Sequence, residues 1–490
     1  MLVAWVVVLG AIMSILDVTV VNVAINTLAT DFETTLTTIQ WVATGYTLAL
    51  ATVIPLSGWG ADRFGTKRLY MISIVLFALG SVLSGLAWSA ESLIAFRILQ
   101  GFGGGMIMPA GMTILTRAAG TDRVGRVMAV IGVPMLLGPI FGPILGGWLV
   151  DDFSWRWIFF INVPIAIAAI ALASRVLPRD VPSAEERLDW LGLALLSPGL
   201  AAVIYGLAES ASAGGFGEPQ VFGPIVAGAA LLALFVRHAL RTTDPLIDLR
   251  LFRNRTFAVS LATLVLVIVA VFGGMLLLPL YLQTVRLESA MATGLLLAPQ
   301  GFGAMITMPI AGRLSDKTGV GRIVPFGLAL VGLSFLALTQ LEADTSYWAF
   351  GVVLFVMGLG MGATMMPVFS GAMQTLRKAD VARASTTLNI NQQVAASIGT
   401  AVLSVLLTTA IADRLPGSGG GIGAAAAVSP EAHGQIAGPL AEAFASTFWW
   451  ALALIVVAFV FATALLPKQK PAPVDDPEGD GMTPAPVMVH

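Results

Sequence analysis

The chain has 490 residues, 57% hydrophobic and only 11% charged, with a formal net charge of −2. Soluble domains carry about 25% charged residues, and a water-borne surface this apolar would aggregate, so lipid is the solvent that suits the composition. No cysteine is present, which excludes disulfides, thiolate nucleophiles and Cys-ligated metals, and His238, His433 and His490 have no metal-ligand spacing.

A helix crossing a bilayer needs about 20 apolar residues. Stretches of that kind fall near 3–25, 40–60, 69–88, 93–113, 126–149, 157–174, 190–208, 221–237, 257–282, 291–311, 323–340, 347–368, 387–410 and 444–466, fourteen in all. The first runs past signal-peptide length with no small-residue cleavage site after it, so it reads as a span. The expected fold class is an all-α integral membrane protein. With the N-terminus inside, 22 of the 26 basic residues fall in inner loops, only Arg156, Arg286 and Arg414 lie outside, and Arg97 is left within a span. That bias places both termini in the cytoplasm. Residues 412–443 read as a Gly/Ala-rich outer loop and 467–490, rich in Pro and acids, as a disordered cytoplasmic tail. Arg outnumbers Lys, as in GC-rich bacteria, so the expected location is a bacterial plasma membrane.

Taken along the chain, span 1 carries Asp17, the acid that lies clearly inside a span, and Asn22 five residues on. Residues 58–68 (Gly58-Trp59-Gly60-Ala61-Asp62-Arg63-Phe64-Gly65-Thr66-Lys67-Arg68) and 312–322 (Gly312-Arg313-Leu314-Ser315-Asp316-Lys317-Thr318-Gly319-Val320-Gly321-Arg322) share one pattern, Gly-x-x-small-Asp-basic-x-Gly-x-x-Arg. The copies are eight spans apart rather than six. Two six-helix halves with two helices between them account for this, giving a 6+2+6 plan: 1–174, a linker pair at 175–256, and 257–466. Internal repeats of this kind mark transporters whose substrate site lies between the repeats.

Span 4 holds Arg97 and Gln100 beside Gly101, Gly103, Gly104 and Gly105. An Arg in hydrocarbon requires a partner or a wet cavity, or snorkels to the membrane surface. The glycines follow no strand, so they form no nucleotide loop. Span 5 has Gly138-Pro139, Gly142-Pro143 and Gly146-Gly147, with glycines every four residues on one close-packing face. The run Trp155 to Pro164 reads as an interfacial aromatic belt. Gln283, Gln300, Asn389, Asn391 and Gln393 are neutral polar groups in or beside spans, read either as helix-to-helix glue or as cavity lining.

With these motifs in place, the chain resembles the major facilitator superfamily, in its fourteen-span drug:proton antiporter branch, over residues up to about 466. The 58–68 run matches that family's signature loop at each defined position, the Arg-x-x-Gln-Gly run at Arg97 its span-4 motif, and the Gly-Pro-x-x-Gly-Gly run its exporter motif. The span-1 signature departs at its end, where Leu-Pro is replaced by Ile25-Asn26. The resemblance implies a major-facilitator-type fold and proton-driven export. It also implies that Gly58, Asp62, Arg63, Gly65, Lys67 and Arg68, with Asp316 and Lys317, form a cytoplasmic latch.

Depth along the helices brings Asp17 and Arg97 together. At about 1.5 Å per residue, Asp17 lies about 21 Å and Arg97 about 24 Å from the inner face of a core about 30 Å thick. Burial favours a neutral carboxyl and a nearby guanidinium the ionised one. A pair poised between the two is therefore a candidate proton carrier, the alternative being a static pin between spans 1 and 4. Asn22, Gln100, Gln283, Gln300, Asn389, Asn391 and Gln393 are the candidate cavity set. The expected partners are small, mostly apolar organic substrates, protons and the lipid bilayer, with no nucleic acid and no cofactor. No catalytic or metal cluster is present, so an enzyme is disfavoured. Export of an endogenous lipid, siderophore or amino-acid-like metabolite stays open as an alternative to drug export.

Overall fold

A computed structural model describes residues 2–119, 141–142, 144–150, 152–178, 187–212, 215–376, 380–415 and 430–468. Among these, the chain is helical with no strand. In order, the helices are α1 (Leu2–Asp31), α2 (Leu36–Val53), α3 (Leu56–Phe64), α4 (Thr66–Gly85), α5 (Ala90–Ala119), α6 (Trp157–Phe160), α7 (Asn162–Val176), α8 (Trp190–Ser212), α9 (Pro219–Ala239), α10 (Arg255–Thr284), α11 (Ala290–Thr318), α12 (Val320–Leu338), α13 (Tyr347–Gln374), α14 (Val381–Arg414) and α15 (Pro430–Leu465). Among the described residues, twelve helices are long and apolar enough to cross a membrane, or thirteen when α2 and α3, bent by 54°, count as one broken span. The remaining expected span, 126–149, lies largely outside the described residues; 144–150 are helical.

The helices start where side chains replace the missing intrahelical acceptors. Thr35 accepts from Thr38 N at the head of α2, Asn254 from Thr256 N and Phe257 N at α10, and Ser289 from Ala292 N at α11. Exposed tryptophans stand near helix ends, among them Trp88, Trp190 and Trp348, where amphipathic rings suit a membrane surface.

Two expectations need correction. The motif at 58–68 is not wholly a loop: Gly58 through Arg63 lie on α3, and the chain turns only at Gly65. The outer segment 412–443 is shorter than expected, because α15 already begins at Pro430. Its Leu440, Ala441 and Ala443 are buried, and packing of that apolar face extends the helix beyond its bilayer-length core.

The glycines of α5 let three helices meet closely. A Cβ on Gly101 would lie 2.6 Å from Tyr46 O on α2, and one on Gly103 would lie 2.8 Å from Ser73 O on α4. The linker hairpin α8–α9 packs with α8 against both α2 and α14. Ser197 Oγ donates to Thr52 O at 2.6 Å, beside the α2–α3 break. Ile54, Leu196, Leu200, Phe235 and Ile390 form one small core joining the break, the hairpin and α14.

The two sequence repeats adopt the same backbone. Gly65 has φ 86 and ψ 145, and Gly319 has φ 87 and ψ 150, a region essentially closed to residues with a Cβ. Gly65→Ala and Gly319→Ala should each cost about 1–3 kcal/mol, read as a lower thermal midpoint in detergent. Gly217→Ala, where an added Cβ meets nothing within 4 Å, is the control and should leave the midpoint unchanged.

Candidate functional site

The first half encloses a charged network. Arg97 Nη1 donates to Asp17 Oδ2 at 2.5 Å, and the two side chains are 1% and 0% exposed. The same nitrogen donates to Gln100 Oε1 at 2.7 Å, and Arg97 Nε donates to Val42 O at 3.3 Å. Asp17 Oδ1 accepts from Gln100 Nε2 at 2.8 Å and from Asn162 Nδ2 at 3.0 Å. Behind Asn162, Ser81 Oγ donates to Phe159 O at 2.9 Å and accepts from Asn162 Nδ2 at 3.0 Å. The guanidinium carbon lies 4.1 Å from the Tyr46 ring centroid, a cation–π seat that gains strength where water is excluded. Five helices, α1, α2, α4, α5 and α7, are therefore joined in one network around this carboxylate, which α5 and α7 bond directly.

Local sequence explains the convergence. Arg97 and Gln100 are three residues apart, so they share one face of α5. Gly142 and Gly146 face α1 beside Asp17: a Cβ on Gly142 would run into the Thr19 side chain, and one on Gly146 would lie 3.2 Å from Val20 O. Nothing lies within 4 Å of a Cβ on Gly147. Gly138, Pro139 and Pro143 lie outside the described residues.

Asn162, Tyr46 and Ser81 were missed in the sequence. Asn162 falls within the run read as an aromatic belt, and that reading needs correction. Trp155 is 2% exposed and its Nε1 donates to Asp31 Oδ2 at 2.7 Å, whereas Trp157 is 51% exposed. The run thus turns one Trp inward and one outward, and a polar residue following it inside a span was the available signal.

The candidate cavity residues do not gather in one place. Gln100 belongs to the carboxylate network and is 0% exposed, which removes it from a cavity wall in this conformation. Gln300 is buried and donates to Met361 Sδ at 3.1 Å, joining α11 to α13. Asn389 donates to its own helix at Ser385 O, 2.8 Å, and to Met112 Sδ, 3.6 Å. Asn391 donates to Thr387 O at 2.8 Å, and Asn391 and Gln393 are half-buried. Gln283 is exposed near the end of α10. Asn22 lies on α1, with its side chain outside the described set.

At the end of the bundle that carries the repeated turns, α14 closes against α3 and α5. Ser57 Oγ and Thr386 Oγ1 are 3.0 Å apart, and Ser385 Oγ donates to Pro109 O at 3.0 Å. A Cβ on Gly58 would sit 2.9 Å from Thr386 Oγ1, so glycine is what lets the helices meet. Asp62 Oδ1 accepts from Arg117 Nη2 at 3.0 Å, a partner the sequence did not single out, and Arg383 at the head of α14 also acts on its charge. Lys67 Nζ donates to Ser174 O and Leu177 O, both at 2.7 Å, at the end of α7, where a cation meets the negative end of the helix dipole. Arg63 is half-buried in the last turn of α3, while Arg68 and Lys317 are exposed; the Asp316 side chain lies outside the described set. At the motif position of Lys67 the second repeat has Gly321, whose backbone N donates to Pro467 O at 3.0 Å just past α15. The first repeat is therefore tied by a side chain to the end of α7, and the second by its backbone to the segment just past α15.

A family model for the Major Facilitator Superfamily matches residues 7–400. The chain belongs to that superfamily. It is a membrane transporter of this family and not an enzyme. It is 46% identical over 498 residues to a multidrug resistance protein B homolog of Mycobacterium tuberculosis (strain ATCC 25618 / H37Rv), across 95% of this chain and 90% of the relative. It is 32% identical over 402 residues to the multidrug export protein EmrB of Escherichia coli (strain K12), across 82% of this chain and 78% of that protein. Among solved structures, the human organic anion transporter MFSD10 (TETRAN) matches with TM-score 0.62 and 17% identity, covering 94% of this chain and 99% of that one. The proton:xylose symporter XylE matches with TM-score 0.60 and 15% identity, covering 95% and 96%. These two likenesses show the shared major-facilitator fold.

Removing a donor from a buried, ionised acceptor costs about 1.5–3 kcal/mol. Asn162→Ala should lower the thermal midpoint of the purified transporter accordingly. The same change at Asn391, whose amide only returns to its own helix, should lower it by less than half as much.

Proposed function

We propose that this transporter exports small, largely apolar organic compounds across a bacterial plasma membrane by proton-coupled antiport. The halves 1–174 and 257–466 alternate access around a path between them, with 175–256 as a linker pair, and both termini lie in the cytoplasm. The observation that carries the reading is the buried carboxylate of Asp17, engaged by Arg97. A buried ion pair is costly to maintain, and removing one partner strands the other charge. Such a pair suits a site that must exchange one positive partner, Arg97, for another, a proton. Loading from acidic outside medium and release inside then drive substrate outward. The relatives named for multidrug resistance and multidrug export support the direction of transport and the substrate class.

The conformation described here is sealed at the end bearing the repeated turns, which this reading assigns to the cytoplasm. Asp62, between Arg117 and the head of α14, is the latch that releases when that end opens.

Asp17→Asn should insert and fold, retain substrate binding and lose export driven by an imposed pH gradient in proteoliposomes. Gradient-driven export by well-expressed Asp17→Asn would overturn the coupling role. A static pin would show itself as poor expression, or as transport that survives in the folded fraction.

The latch makes a second prediction. Asp62 and Arg117 are partly exposed, so their pair contributes about 1 kcal/mol or less. Asp62→Asn should therefore slow turnover by up to about fivefold at unchanged expression, measured as counterflow in vesicles. Wild-type turnover would count against the latch.

A further inference from the structure

A cavity of about 220 Å³ lies where α2, α8 and α14 meet, lined by Thr44 and Thr47 from the first half, Ile204 and Ala208 from the linker, and Ser397 and Thr400 from the second half. Three separate parts of the chain thus supply one wall each. The linker helix is fixed on both sides of the cavity. The Trp41 and Tyr205 rings stack at 5.8 Å toward one end, and Ser197 donates to Thr52 O toward the other.

Four hydroxyls line the wall, and three of them give their protons to their own helices. Thr47 Oγ1 donates to Ala43 O, Ser397 Oγ to Gln393 O, and Thr400 Oγ1 to Ala396 O, each at 3.0 Å. A hydroxyl that donates its single proton to its own helix has only lone pairs left to offer. None of the lining residues is ionisable, so a charged guest would enter without a counter-ion, at high cost. The wall therefore selects an uncharged compound with an apolar body and a hydrogen-bond donor.

We propose that this cavity is a binding subsite for compact, uncharged, largely apolar compounds bearing an O–H or N–H donor, and that α2 transmits its occupancy to Arg97; its place in transport rests on the export reading above. The stretch of α2 from Val42 to Leu48 serves both sites. Thr44 and Thr47 face the cavity, while Val42 O and the Tyr46 ring hold Arg97. The formed cavity and the seated Arg97–Asp17 pair occur in one conformation. A ligand that fills the cavity therefore favours that conformation, and with it the ionised carboxylate, by linkage. Occupancy then expels the proton, which is the exchange that antiport requires.

The test uses the full-length transporter in detergent with two neutral probes that share one apolar body, 1-adamantanol, which carries a donor, and 1-methoxyadamantane, which does not. Calorimetry should show 1-adamantanol binding about fivefold more tightly, the scale of one neutral hydrogen bond. Thr47→Val with Ser397→Ala and Thr400→Val should abolish that preference. Ala208→Phe, which alters only the linker wall, should remove binding of both probes while leaving the thermal midpoint near wild type. Equal affinities for the two probes in the wild type, or unchanged binding in both variants, would overturn the subsite. In weakly buffered solution, 1-adamantanol should release protons from the wild type and none from Asp17→Asn. Donor-selective binding lost in the variants but without proton release would support the subsite while removing the coupling role of Asp17, so the two ideas fail separately.

Discussion

The arrangement of the first half depends on keeping one ion pair dry. Asp17 and Arg97 have essentially no exposed surface, and a charge held in that way needs its remaining lone pairs and protons answered by neighbours. Gln100 on α5, Asn162 on α7, and Val42 O and Tyr46 on α2 supply those answers around the pair. Each partner sets a limit on how far its helix stands from α5. The glycines at 101, 103, 142 and 146 make those short separations sterically possible. Motifs that look independent along the chain are in this sense parts of one constraint.

The second half is organised differently. Its interior contacts are apolar and aromatic, such as Phe335 with Phe448 and Tyr281 with Phe444, and its buried Gln300 pairs with a methionine sulfur. Where the halves meet, the hydrogen bonds run between hydroxyls, a backbone carbonyl, an amide and a thioether, and Arg383 faces the charge of Asp62. Neutral contacts of that kind add little each and separate without stranding a charge, which suits a boundary that must open. The Arg117–Asp62 ion pair lies within the first half, while Arg383 of the second half acts on the same carboxylate.

Much of this could be read from the residues. Spans appear as apolar runs, and helices long and apolar enough to cross a membrane are found at them. The repeat around Asp62 and Asp316 predicts matching turns, and Gly65 and Gly319 have matching φ and ψ. Rise per residue puts Asp17 and Arg97 at one depth, and in the fold they touch. What escaped the sequence was identity across helices. Asn162 is marked only as a polar residue inside a span, with nothing to name its partner, and nothing local distinguishes Arg117 from any other basic residue near a span end. Gln100 is a partial exception, since its spacing from Arg97 marks a shared face, and that argues for the network over a cavity wall. The glycines that precede α15 give its start the composition of a loop, and its buried packing face reveals the helix.

One asymmetry in the repeats has a mechanical meaning. Pro55 precedes Gly58 by the same three residues that separate Pro309 from Gly312. At Pro55 the span is severed into α2 and α3 at 54°, with Ser197 of the linker bonded to Thr52 O beside the break. Pro309 instead lies inside the unbroken α11. The same residue in the same register is an articulated joint in one half and part of a stiff rod in the other. On the export reading proposed above, bending between the halves would fall at Pro55 and not at Pro309, and α8 is bonded beside that joint through Ser197 as a splint would be.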